Sequence, residues 1–156
     1  MNVSWSTLPD EIRDDVATQL QGQLTDLIDL SLLAKQAHWT VVGENFRSFH
    51  LQLDELVTSY RLWSDQTAER MVTVGALPDG QSRTVAATSE LPALEKEWID
   101  STKLVAVVAD RVEAAAHRAR ARMEALGDLD AVSEDLLIAV TTGLEEQLWM
   151  LRAQVR

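Results

Sequence analysis

K-Q-A-H-W-T-V-V-G-E-N-F-R-S-F-H-L-Q-L-D-E-L-V-T-S-Y-R-L-W-S-D-Q-T-A-E-R, residues 35–70, contains two of the three histidines in the chain, His38 and His50. Three carboxylates follow at helical spacing, Asp54, Asp65 and Glu69. His50 and Asp54 are four residues apart, as are Asp65 and Glu69, so each pair shares a helix face. Eleven residues separate Asp54 from Asp65, close to three turns at 3.6 residues per turn. On one helix, His50, Asp54, Asp65 and Glu69 therefore project to the same side. They are also strung out along it: nineteen residues at 1.5 Å rise is about 28 Å. No single ion reaches both ends of such a row. A second copy laid antiparallel across a two-fold axis brings the His/Asp end of one helix against the Asp/Glu end of the other. Two-fold dimers are the commonest symmetric assembly and have self-complementary interfaces. The expectation is a pair of equivalent metal sites, each shared between two copies of the chain.

The pattern K-x-x-H-W-x-x-x-G-x-N-F-x-x-x-H-x-x-x-D, followed by D-x-x-x-E-R and L-P-D-G, resembles the Dps family, the ferritin-like DNA-binding proteins from starved cells. Length and helix order agree over nearly the whole chain. The resemblance implies that His38, His50 and Asp54 come from one subunit and Asp65 and Glu69 from its two-fold mate. It implies oxidation of Fe(II), preferentially by hydrogen peroxide, and storage of ferric oxide inside a hollow twelve-subunit shell. Imidazole and carboxylate ligands with open positions suit ferrous iron, and carboxylates favour the harder ferric product. Trp39, beside His38, is a candidate oxidisable ring. Lys35, one turn before His38, is a candidate for neutralising or orienting acids there. Taken singly, either histidine reads as a hydrogen-bonded structural residue; the joint spacing of five ligand types reverses that. Asp65 is open to a role one layer out from the metal. Around the turn at 127–130, the resemblance implies acids lining an iron-entry pore, with Asp128 and Asp130 as candidates. The same acids also read simply as helix-end charge.

The 156 residues suffice for one domain, expected over 1–156 with a short arm at 1–8. Fourteen basic and 25 acidic residues leave a net charge of −11. That balance suits attraction of cations and opposes binding to phosphate backbones and anionic membranes. Cysteine is absent, which excludes disulfides and thiolate ligands. With neither a signal-like start nor a long apolar run, a cytoplasmic protein is expected, the nucleoid being the one associated structure the family name raises.

Three prolines and six glycines, all three prolines outside the periodic segments, point to an all-α fold. The first helix is expected from about Pro9 to Val41, with an apolar surface wide enough to be covered on two sides. Asn45 is expected to cap a second helix to about Val74, ended by Gly75. The polar connection 76–92 is long enough to cross a bundle and carry a short helix around Val85. A third helix is expected over 93–126, stopped by Gly127, with Leu94 and Trp98 on its buried stripe. A fourth is expected to start at a Ser133 cap. Four long helices with one long crossover describe a ferritin-like bundle, which the resemblance extends with the extra short helix. Glu113 and His117, four apart, read as a solvated face rather than a metal pair. The phenylalanines and the tryptophans other than Trp39 are assigned to the core.

DNA binding is expected to be weak or absent: the first basic residue is Arg13, only Arg152 and Arg156 lie near the other end, and there are three lysines in all. The competing functions are a DNA-compacting structural protein, disfavoured by the charge, and a bundle that assembles without chemistry.

Overall fold

The computed structural model describes residues 5–155. Its elements run α1 (Asp10–Thr40), β1 (Val41–Val42), α2 (Phe46–Thr73), α3 (Ser82–Thr88), β2 (Ile99–Asp100), α4 (Ser101–Leu126) and α5 (Ala131–Arg152). α1 and α2 form one antiparallel hairpin and α4 and α5 the other, with α1 packed across α4. The all-α bundle and the short helix in the crossover are as expected; the buried residue of α3 is Val85.

Periodic apolar residues create the core. Phe49, Leu53, Leu56, Val57 and Tyr60 give α2 a buried face that meets Leu27, Leu30 and Ala34 of α1, Leu104, Val108 and Val112 of α4, and Leu144 and Leu151 of α5. A second cluster at the opposite end gathers Val16, Leu20, Leu24, Met71, Val74, Leu126 and Leu137. Each fully buried aliphatic side chain removed from water contributes roughly 1.5–3 kcal/mol before chain entropy is counted.

The ends of α2 are built differently. At its C-terminus Gly75 adopts φ +86°. Gly75 N–H donates to Val72 C=O and Ala76 N–H to Met71 C=O, both at 2.9 Å, closing the last turn. Of the expected arm, residues 1–4 lie outside the described residues, but Trp5 Nε1 donates to Val72 C=O at 3.0 Å and Ser6 Oγ to Val74 C=O at 2.8 Å. At the N-terminus Asn45 takes the cap position, yet its side chain makes no capping bond; its backbone N–H donates to Ser101 Oγ instead.

Two boundaries differ from expectation. Residues 93–98 are not helical: α4 begins at Ser101, where Asp100 accepts from Thr102 N–H at 2.9 Å. Ile99 and Asp100 pair in parallel with Val41 and Val42. Arg111 takes the Pro92 and Ala93 carbonyls with Nε and Nη2. Tertiary partners thus capture the backbone that a helix would have used, and Trp98 is 74% exposed instead of buried. Trp5, Trp149 and Phe46 are exposed as well, against expectation, while Phe49 is buried and Trp63 is half-buried against the core. The other difference is the start of α5. Asp130, not Ser133, is its cap, accepting from Ser133 N–H at 3.1 Å and from Ser133 Oγ.

Asp130 is also the partner of Arg70, whose Nη2 reaches it at 2.6 Å while Nε donates to Ser133 Oγ at 2.9 Å. Burial pushes the Asp130 carboxyl up, but the Ser133 hydroxyl and the Arg70 guanidinium outweigh it and hold the group below the usual aspartate value. Its stabilisation is therefore complete above about pH 3.9 and is lost as pH falls through the depressed folded value. Replacing Arg70 with Met should cost about 1–3 kcal/mol at neutral pH, the penalty of stranding a nearly buried charge. That cost should shrink as pH falls and Asp130 becomes protonated, so urea unfolding followed by far-UV circular dichroism should show the two proteins closer in stability at about pH 3 than at about pH 7.

Candidate metal centre

The α1–α2 turn brings the first three candidate ligands together. α1 ends at Thr40, the chain extends through β1, and Gly43 reverses it at φ +103°, a conformation that L residues resist. A Cβ at Gly43 would also lie 2.4 Å from Asp100 Oδ2. Phe46 N–H closes the turn on Gly43 C=O at 3.1 Å. The last turn of α1 thereby faces the first turns of α2.

Across that junction the two histidines hold each other. His38 Nδ1 lies 2.9 Å from His50 C=O, and His50 Nδ1 lies 2.8 Å from His38 C=O. A carbonyl only accepts, so both Nδ1 atoms are the protonated ones, and in neutral imidazole each Nε2 keeps its lone pair. The rings stack with centroids 3.6 Å apart and an interplanar angle of 22°, and Phe46 lies 5.1 Å from the His50 ring. His38 is buried and His50 half-buried. The His38 carbonyl belongs to the final turn of α1, where backbone acceptors lack helical donors, so the His50 bond also completes that helix end. Backbone bonds of this kind, on the ring nitrogen away from the metal, orient histidine ligands in metalloproteins.

Asp54 sits one turn beyond His50, with Oδ1 3.4 Å from His38 Nδ1. The same oxygen is ion-paired with Lys35 Nζ. That hydrogen bond from Lys35 holds the Asp54 carboxyl below its usual range, with the nearby imidazoles acting in the same direction. His38, His50, Asp54 and Lys35 are therefore one constellation. Trp39 is next to it in the chain but 62% exposed.

Asp65 and Glu69 lie elsewhere. α2 is continuous from Phe46 to Thr73, so Glu69 stands about 28 Å along the axis from His50. Both carboxylates are exposed, and neither makes a side-chain hydrogen bond or ion pair among the described residues. Asp65 borders an open hollow of about 330 Å³ together with Leu24, Ile28, Ser31, Arg61 and Ala68. Among the described residues no three histidine, aspartate or glutamate side chains of one chain gather as a metal site. Large apolar side chains are exposed on the same hairpin: Leu32, Trp39 and Leu62.

Of the two acids at the α4–α5 turn, Asp130 is committed to the helix cap and Arg70, and Asp128 is exposed. Glu113 accepts from Arg152 Nη2 at 2.7 Å, and His117 is exposed, in keeping with a solvated face. Beyond its place in D-x-x-x-E-R, nothing in the sequence marks Arg70 as the partner of Asp130. The bond between them spans sixty residues.

A family model for the ferritin-like domain matches residues 17–156. The chain is 36% identical over 161 aligned positions to the DNA protection during starvation protein of Mycolicibacterium smegmatis, covering 95% of this chain and 81% of the relative. It is 39% identical over 144 positions to the fine tangled pili major subunit of Haemophilus ducreyi, covering 90% and 74%. Among solved structures, Mycobacterium smegmatis Dps in its tetragonal form superposes with a TM-score of 0.93 at 34% identity, covering 98% of this chain and 93% of that one. Dps from Microbacterium arborescens in its high iron form gives 0.91 at 27% identity, covering 96% and 98%.

Gly43→Ala tests the turn. Forcing a side chain into φ +103° against Asp100 should destabilise the protein by about 1–3 kcal/mol, measured by urea unfolding.

Proposed function

Since the chain belongs to the ferritin-like domain family, among its Dps members, we propose that it takes up Fe(II), oxidises it with hydrogen peroxide and stores the ferric product. The observation that carries this reading is the His38–His50–Asp54 group, with both Nε2 atoms left as donors. Asp65 and Glu69, exposed toward the other end of the same helix, complete it.

In a two-fold dimer, His38, His50 and Asp54 of one copy meet Asp65 and Glu69 of the other, making two equivalent sites. The exposed Leu32, Trp39 and Leu62 supply apolar surface for that contact. Closing such dimers into a hollow shell of twelve, as the family resemblance implies, provides the space for ferric oxide. The charge of −11 per chain draws Fe(II) inward, and Asp128 is the exposed acid that serves an entry pore.

Fe(II) is the substrate. Imidazole Nε2 atoms bind it as neutral donors, and carboxylates offset the charge that rises on oxidation. Two Fe(II) each give up one electron and one peroxide takes both, cleaving its O–O bond. With two waters the products are two FeO(OH) and four protons. Lys35 keeps Asp54 ionised and aimed until Fe(II) arrives, when the two cations compete for the same oxygen. The carbonyl bonds to both Nδ1 atoms fix the tautomer and leave the rings no freedom to turn away. Trp39, exposed beside His38, serves as a ring that intercepts stray oxidising equivalents.

Replacing His38 and His50 together with Ala should slow peroxide-driven Fe(II) oxidation by about 100-fold or more, with assembly unchanged by size-exclusion chromatography. Mixed shells of a His38/His50 variant and an Asp65/Glu69 variant should regain part of the activity; sites contained in one chain would give no rescue. DNA is expected to stay unbound near neutral pH, and nanomolar plasmid retention in a low-salt gel shift would overturn that expectation.

A further inference from the structure

On the side of the bundle where α1, α3 and α4 meet, two arginines share one carboxylate. Arg118 grips Asp26 side-on, with Nε 2.9 Å from Oδ2 and Nη2 3.3 Å from Oδ1. Arg122, one turn further along α4, places Nη1 2.7 Å from the same Oδ2 and 3.3 Å from Gln23 Oε1. Asp26 and Gln23 are fully buried, and the arginine side chains are only 24% and 16% exposed. Among the described residues Asp26 is the one carboxylate bonded to either guanidinium, so the half-desolvated pair carries one positive charge more than its bonded partner offsets. That is costly without an anion.

Gly22 makes the arrangement possible. A Cβ there would stand 2.8 Å from Arg122 Nε and 3.0 Å from Nη2. Glycine inside a helix costs about 1 kcal/mol relative to alanine, and here it clears room for a guanidinium. The cleft in front of the pair measures about 150 Å³, several times the ~30 Å³ share of a water. Arg118 Nη1 and the Nε and Nη2 of Arg122 have no protein acceptor among the described residues. Thr25, on the cleft wall, accepts from Gln21 and has its own O–H to donate. Thr84 and Thr88 direct their hydroxyls to Asp79 and to the Thr84 carbonyl. Glu90, at the rim, is exposed and bonds to neither arginine.

We propose that this cleft binds one tetrahedral oxyanion of the phosphate class per chain, held by the outer edges of Arg118 and Arg122 and by the Thr25 hydroxyl. Convergent guanidinium N–H groups suit the oxygens of such an ion, and a charge-assisted set of this kind is roughly twice as strong per bond as a neutral one.

The test is equilibrium dialysis of radiolabelled inorganic phosphate against the assembled protein, stripped of iron with a chelator, at constant ionic strength. Saturable binding near one phosphate per chain is expected. Arg122→Ala should weaken it at least ten-fold, and so should Gly22→Ala, which favours the helix but displaces the guanidinium. Glu90→Gln should tighten it. Arg120→Gln, an exposed charge on the same helix paired with Glu145, should leave it unchanged. No saturable binding by the parent protein overturns the proposal, as does equal weakening by Arg120→Gln. A parent protein that ignores phosphate while Arg122→Ala falls apart into smaller species would mean that a neighbouring chain's carboxylate fills the cleft, which also overturns it.

Discussion

An unbroken α-helix holds its residues at a set rise, and α2 is unbroken from Phe46 to Thr73. His50 and Glu69 share a side of that helix and are kept about 28 Å apart by it. Much of the molecule answers to this constraint. One chain carries His50 and Asp54 near one end of a rod and Asp65 and Glu69 toward the far end. In the function proposed, these groups combine when a second rod lies antiparallel beside the first. The open surface of the α1–α2 hairpin, with Leu32, Trp39 and Leu62 outside, is the surface such a neighbour would cover.

Rigidity matters at closer range too. His38 and His50 come from different helices and are separated by twelve residues, yet each ring is bonded to the other's backbone. The turn at Gly43 and the short parallel pairing of β1 with β2 hold the two helix ends in register. The same carbonyl bonds that finish the α1 terminus select the imidazole tautomer. One pair of carbonyl bonds thus links the two helix ends and sets which ring nitrogen carries the proton.

The charged interior is organised by pairing rather than by exclusion. Asp26 lies between Arg118 and Arg122, and Asp130 beneath Arg70, each carboxylate buried and each satisfied by guanidinium. These contacts join α1 to α4 and α2 to the start of α5. In a chain of net charge −11, cations placed at such seams also reduce self-repulsion in the compact state.

The all-α fold, the long crossover with its short helix, and the placing of His50, Asp54, Asp65 and Glu69 on one helix are legible in the sequence alone. Each depends on local periodicity: apolar residues at steps of three and four, and Gly75 beyond a helix end. Long-range partners decided the rest. Residues 93–98 have helical composition but lose their backbone to Arg111 and β1, which leaves Trp98 outside. Ser133 is a good capping residue, yet Asp130 takes the cap because Arg70 stabilises its charge there. The family resemblance groups His38 with His50, whereas the reciprocal carbonyl bonds and the Lys35–Asp54 pair need two helices in contact. A sequence determines what each helix carries on each face; which charged groups meet across faces is a property of packing, because those contacts join residues nineteen to ninety-six positions apart.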